Sequence, residues 1–150
     1  MKLEKRDQWL FRLRSGLYPQ AKGQLARAIS EDGETYKITG NCCLGVLCEV
    51  EEYERVPSFV FGEDEVRMDY IVRGSVPDKD EAMYSDLPGW YETAEGLDAT
   101  VPLSAIPESI RNKHCIEDGR LSSILIYMND DGFTFNEIAD FIEQHLPVEA

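Results

Sequence analysis

The stretch Asn41-Cys-Cys-Leu-Gly-Val-Leu-Cys-Glu-Val50 constrains this chain more than any other. From Cys42 to Cys48 it carries no charge and places three thiols within seven positions. A run this apolar must be covered on most sides, so the remaining sequence has to fold around it. Cys42, Val46 and Val50 recur at i, i+4 and i+8, with Cys43 and Leu47 beside them, which predicts a largely buried helix. Asn41 offers a side-chain oxygen suited to the N-cap of that helix.

The flanking sequence predicts what does the covering. Between Arg6 and Gly16, the side chains of Trp9, Leu10 and Leu13 fall at helical spacing, and Gly16 is suited to stop the helix. Pro19 and Gly23 prevent the helix from resuming over Tyr18 to Gly23, and Gln24 to Ile29 reads as a strand. Glu31-Asp-Gly-Glu34 is a hairpin signal, with Thr35 to Thr39 as the returning strand. Residues 58–73 are rich in aromatic and β-branched types on both sides of Gly62-Glu-Asp-Glu65, which predicts a second hairpin. Ser75 to Pro102 is acidic and turn-rich, with Pro77, Pro88, Gly89 and Gly96. It reads as an ordered loop carrying short strands and anchored by Trp90 and Tyr91.

Helical patterning returns in the last third. Pro107 to Lys113 predicts a short helix. Leu121, Ile124, Leu125 and Met128 then form an apolar stripe that gives way to Asn129-Asp-Asp-Gly132, where Gly132 suits a left-handed cap. Thr134-Phe-Asn-Glu137 is a capping box opening a final helix with Phe135, Ile138, Phe141 and Ile142 on its inner face. The expected architecture is α+β and a single domain over 1–150. A small antiparallel sheet of two hairpins packs with an N-terminal helix, a buried Cys-containing helix and a C-terminal helix pair.

A net charge of -14 repels nucleic acid and anionic lipid over most of such a surface. The charge is uneven, because residues 1–40 hold eight basic and five acidic side chains, leaving -17 on the other 110. A basic first helix lying against an acidic body accounts for this within one fold. That helix carries Trp9 and Phe11, yet only six cations precede residue 23, so direct nucleic-acid binding is not expected. No apolar run approaches membrane-spanning length and no signal-peptide core opens the chain, so reduced thiols in a cytoplasm are expected, with no membrane partner.

Several chemistries are tested by spacing. Cys42, Cys43, Cys48 and Cys115 could supply four thiolates to zinc with His114 as a spare, but the first three lie on the predicted apolar helix instead of a knuckle. Cys42 and Cys43 at a helix start could be activated by the helix dipole, which requires a base from His114 or His145. The acidic groups at Asn129 to Asp131 and at Asp78, Asp80 and Glu81 lack a calcium-loop register, since Tyr127 stands five residues before Gly132. No phosphate loop, dinucleotide fingerprint or hydrolase elbow occurs. No cofactor, metal or catalytic set is therefore expected.

Three segments together resemble a widespread family of small uncharacterised proteins of tailed bacteriophages. They are Trp9 to Gly16 with Tyr18 to Gly23, Asn41 to Glu49, and Met128-Asn-Asp-Asp-Gly-Phe-Thr-Phe-Asn-Glu-Ile-Ala-Asp-Phe-Ile142. The resemblance implies an accessory protein of the host bacterial cytoplasm and brings no established activity with it. The resulting expectation is a binding protein acting on a host protein or a small signalling ligand, with anti-defence work within its scope. A thiol-dependent or nucleotide-hydrolysing enzyme and an assembly component stand as alternatives. The expected ligand or partner site lies where Gln20 and Gly23, Asn41 to Cys43 (Asn41, Cys42, Cys43), and Asn129 and Asp130 would converge.

Overall fold

The cysteine-rich stretch forms a helix, α2 (Cys43–Val50), in the computed structural model, which describes residues 1–61, 65–71, 96–114, 116 and 119–149. Every position from Cys43 to Cys48 is buried, so the helix is enclosed all round and not along a single stripe. The first helix, α1 (Leu3–Arg14), starts earlier than the expected Arg6 and buries Trp9, Leu10 and Leu13. Trp9 is fully buried, and its indole N–H donates to the Cys43 carbonyl at 2.9 Å. That bond satisfies the one polar atom of the largest core side chain and fixes α1 against α2.

Two hairpins supply the sheet, β1 (Ala26–Ile29) with β2 (Lys37–Asn41) and β3 (Glu54–Phe61) with β4 (Glu65–Ile71). Their order is β2-β1-β4-β3 and every pairing is antiparallel. The hairpins join through β1 and β4, where Ala26 opposes Met68 and Ala28 opposes Val66, all four buried. The second hairpin begins at Glu54, ahead of the expected Ser58, because Pro57 is accommodated on an edge strand. The tip of this hairpin at 62–64 and the stretch 72–95, with Trp90, Tyr91, Asp78, Asp80 and Glu81, lie outside the described residues.

The chain continues through a 3₁₀ turn (Leu103–Ala105) into α3 (Glu108–Lys113), α4 (Leu121–Asp130) and α5 (Phe135–His145). Leu121, Ile124, Leu125 and Met128 are buried as their spacing requires, and each contributes roughly 1.5–3 kcal/mol of apolar burial. The α4 helix extends beyond Met128, so Asn129 and Asp130 belong to its last turn instead of the loop after it. Gly132 takes the positive φ, +98°, that ends it. The capping box closes α5 reciprocally: Glu137 N–H donates to Thr134 Oγ1 at 3.2 Å, and Thr134 N–H donates to Glu137 Oε1 at 3.0 Å.

Part of the charge asymmetry is resolved inside the fold. From α1, Arg14 reaches Asp140 and Glu143 of α5 at 2.7 and 2.8 Å, and Lys5 reaches Glu51 at 2.7 Å. In the first hairpin, the Asp32 carboxylate accepts from the backbone N–H groups of Glu34 and Thr35 and from the Thr35 hydroxyl. These donors favour the charged form and hold the Asp32 pKa at about 2, below its ordinary 3.8.

Gly45 is the most closely packed of the described glycines. A Cβ there would collide with the Leu25 carbonyl oxygen and stand 3.2 Å from Asn41 Nδ2. The α2 backbone can approach the chain entering β1 only because this position has no side chain. Gly45→Ala is therefore expected to cost about 3 kcal/mol or more, the upper end for overpacking. Gly16→Ala, which meets open space but a φ of +75°, should cost only about 1–2 kcal/mol in urea unfolding. For Asp32, whose folded pKa is depressed, the stabilisation is complete above pH 4 and is lost as pH falls toward 2. Asp32→Ala should then be less stable than wild type at pH 7, and the gap should close across that acidic window in thermal melts.

Candidate functional site

The three segments expected to converge do meet, and Asn129 is where they meet. This residue is fully buried in the last turn of α4. Its Oδ1 accepts from Cys43 N–H at 3.1 Å and from Gln20 Nε2 at 3.0 Å. Its Nδ2 donates to the Ala21 carbonyl at 2.7 Å and to Asp130 Oδ1 at 3.4 Å. One amide thus fills its hydrogen-bonding capacity while tying three parts of the chain together. Gln20 also donates to the Phe133 carbonyl at 2.8 Å, and Asp130 Oδ1 accepts from Gly23 N–H at 2.8 Å.

Asn41 plays a different part from the one its position predicts. It is the last residue of β2, and the N-cap of α2 is Cys42, whose Sγ accepts from Gly45 N–H at 3.4 Å. The Asn129 oxygen, from α4, accepts from the N–H of Cys43, which as the first helical residue has no intrahelical acceptor. The Asn41 backbone pairs with Pro19 and Ala21 at 2.8 Å each, and its side chain donates to the Tyr70 hydroxyl at 2.8 Å. Tyr70 in turn donates to Glu49 at 2.6 Å, and Arg55 grips both Glu49 oxygens at 2.8 and 2.9 Å. Burial first, and then the hydrogen bond to Glu49, push the Tyr70 pKa up.

Activation of the thiols by the helix dipole does not hold. Cys42 is pushed up to about 11 because burial outweighs the N–H bonds it accepts from Gly45 and Leu44. Burial likewise raises Cys43 and Cys48 well above the ordinary thiol value. Cys43 Sγ donates to the Leu125 carbonyl at 3.6 Å, the behaviour of a protonated core thiol. Cys115 lies outside the described residues. His114 bonds to Asp131 at 3.0 Å and stacks on Tyr127 with ring centroids 3.9 Å apart, and His145 packs on Phe141. Among the described residues, no three His, Cys, Asp or Glu side chains are grouped to hold a metal ion, and no helix is long and apolar enough to cross a membrane.

Beside the Asn129 knot opens a pocket of about 200 Å³. Gly23, Cys42, Asn129 and Asp130 border it, joined by Gln24, Leu25, Leu44, Arg67 and Ile126, which the sequence patterning did not single out. Leu25, Leu44 and Ile126 make an apolar wall, and Arg67 and Asp130 bring opposite charges to its lining. Two of the lining residues each carry a buried side-chain atom, Gln24 Oε1 and Arg67 Nε, that has no protein hydrogen-bond partner among the described residues. Arg67 also stands directly opposite Arg27 in the β1–β4 register, and neither has an ion pair among the described residues. Arg67 comes from the second hairpin, and no local signal in Glu65-Val-Arg-Met68 marks it. Only the strand register brings it here.

The fold and site define a small α+β domain whose pocket is walled by segments distant in sequence. The chain belongs to the family described as Domain of unknown function (DUF8296), whose profile matches residues 1–146. No curated protein and no solved structure matches the chain at a significant level.

If the Asn129 amide carries the junction, Asn129→Ala should leave the Cys43 N–H and the Ala21 carbonyl without their partners. The expected loss is about 2–4 kcal/mol, several times that of an exposed substitution. Guanidinium unfolding of Asn129→Ala beside the exposed control Glu108→Ala checks it; equal midpoints would remove Asn129 as the anchor.

Proposed function

We propose that this protein is a phage-encoded accessory binding protein of the host cytoplasm, and that it takes a small signalling ligand in the pocket beside Asn129. The observation that carries the reading is that Arg67 and Gln24 line a largely apolar pocket while each keeps a buried side-chain atom, Nε and Oε1, without a protein partner among the described residues. Buried polar groups without partners destabilise a protein, and a ligand that satisfies them recovers that free energy. The complementary molecule presents a carbonyl or anionic oxygen to Arg67, a donor to Gln24 and a flat apolar face to Leu44 and Ile126. A pocket of about 200 Å³ suits a ligand of one or two rings. The phage origin rests on the three segments of resemblance alone; those segments also contain Gly23, Cys42, Asn129 and Asp130 of the pocket rim. The protonated state of the buried thiols favours binding over thiol catalysis.

Native mass spectrometry of the tagged protein recovered from infected cells tests this directly. The wild type should carry a small-molecule adduct that Arg67→Ala loses by at least about tenfold in occupancy. Removing an unpartnered buried donor should leave the melting temperature unchanged or slightly raised. A fall in melting temperature with the adduct retained would make Arg67 structural, and a bare wild-type protein would sink the ligand reading.

A further inference from the structure

The outer face of α1 is unlike the rest of the helix. Leu3, Glu4, Asp7, Gln8, Phe11 and Arg12 line a shallow groove along it, and Phe11 is 74% exposed although it is one of the largest apolar side chains of the helix. Leu3 is 41% exposed on the same stripe. Trp9, Leu10 and Leu13 occupy the inner face, so Phe11 cannot be covered by any rotation of this helix. Glu4 and Arg12 have no ion pair among the described residues, while Asp7 is neutralised within the chain by Arg6 at 3.1 Å. Arg12 donates to the neutral Tyr18 hydroxyl at 3.3 Å.

We infer that this face is the interface with a second copy of the chain, formed by two α1 helices packed antiparallel about a two-fold axis. The stripe maps onto itself when reversed: Leu3 falls opposite position 12, Glu4 opposite position 11, and Asp7 opposite position 8 of the partner. Because neighbouring positions are also in reach across a helix pair, Leu3 of each copy meets Phe11 of the other, and Glu4 meets Arg12. One arrangement therefore covers both exposed apolar side chains and pairs both unmatched charges twice over. The Gln8 side chains meet near the axis, where an amide both donates and accepts and so complements its own copy. Asp7, the residue whose charge would clash across the axis, is the one already held by Arg6. A net charge of -14 on each copy opposes association, so the dimer forms where salt screens that repulsion, with a Debye length of about 8 Å at physiological ionic strength.

Sedimentation equilibrium across a concentration series in physiological salt tests the assignment. Wild type should show a reversible monomer–dimer equilibrium, and Phe11→Ser should weaken it at least about tenfold. Glu4→Arg should weaken it as well, by placing two like charges together at each end. Combining Glu4→Arg with Arg12→Glu should restore the dimer to near wild-type strength, which a merely structural defect would not do. Melting temperatures of the monomers should stay close to wild type, since these side chains lie outside the core. A wild type that remains monomeric at about 1 mM overturns the proposal. So does a dimer indifferent to Phe11→Ser and to the charge exchange, because another face would then hold it together.

Discussion

The structure depends on one buried amide. Asn129 sits in the last turn of α4 with no exposure, and its four hydrogen bonds reach the start of α2, the segment leading into β1 and the adjacent Asp130. A buried polar side chain is costly unless fully matched, so it tolerates few alternative arrangements of its partners. The apolar contacts of α2 would accept many small shifts in packing, whereas the amide accepts very few. Hydrophobic burial therefore supplies most of the driving force, and Asn129 sets the alignment of the layers it joins. Gly45 completes that alignment by letting α2 settle against the Leu25 carbonyl.

The cysteines show how burial can overrule position. Cys42 stands at a helix start, where the dipole and the local N–H groups favour a thiolate. It is only 7% exposed, and removal from water raises its pKa more than those groups lower it. Cys43 and Cys48 are fully enclosed. In this setting the thiols act as small, deformable apolar groups that fill space around α2, which is why an all-round apolar helix can contain them.

Much of the architecture was legible in the sequence because the signals were local and mutually consistent. The Thr134 to Glu137 capping box, the Leu121 to Met128 stripe and the Asp32-Gly33 turn each depend on residues a few positions apart. The convergence of Gln20, Gly23, Asn41 to Cys43, Asn129 and Asp130 could be anticipated from polar residues at element ends. The capping role of Asn41 could not be judged that way, because its alternatives, Tyr70 and the distant Asn129, arrive through tertiary packing. Arg67 and Gln24 left no trace for the same reason. Their significance comes from missing partners, and a sequence does not record which partners are missing. Phe11, by contrast, lies on the far side of α1 from the Trp9, Leu10 and Leu13 stripe, so its exposure follows from helical spacing.

The pocket's walls come from four separate stretches, around Gly23 to Leu25, Cys42 to Leu44, Arg67 and Ile126 to Asp130. No short fragment of the chain contains them all, and much of the intervening sequence lies in the hairpins and helices that align them. A molecule held there would touch both the early and the late parts of the polypeptide, so its binding would be linked to the cooperative folding of the whole unit and not to the closing of one loop. Folding and recognition would then share a single transition, because no one of the four stretches carries the pocket by itself.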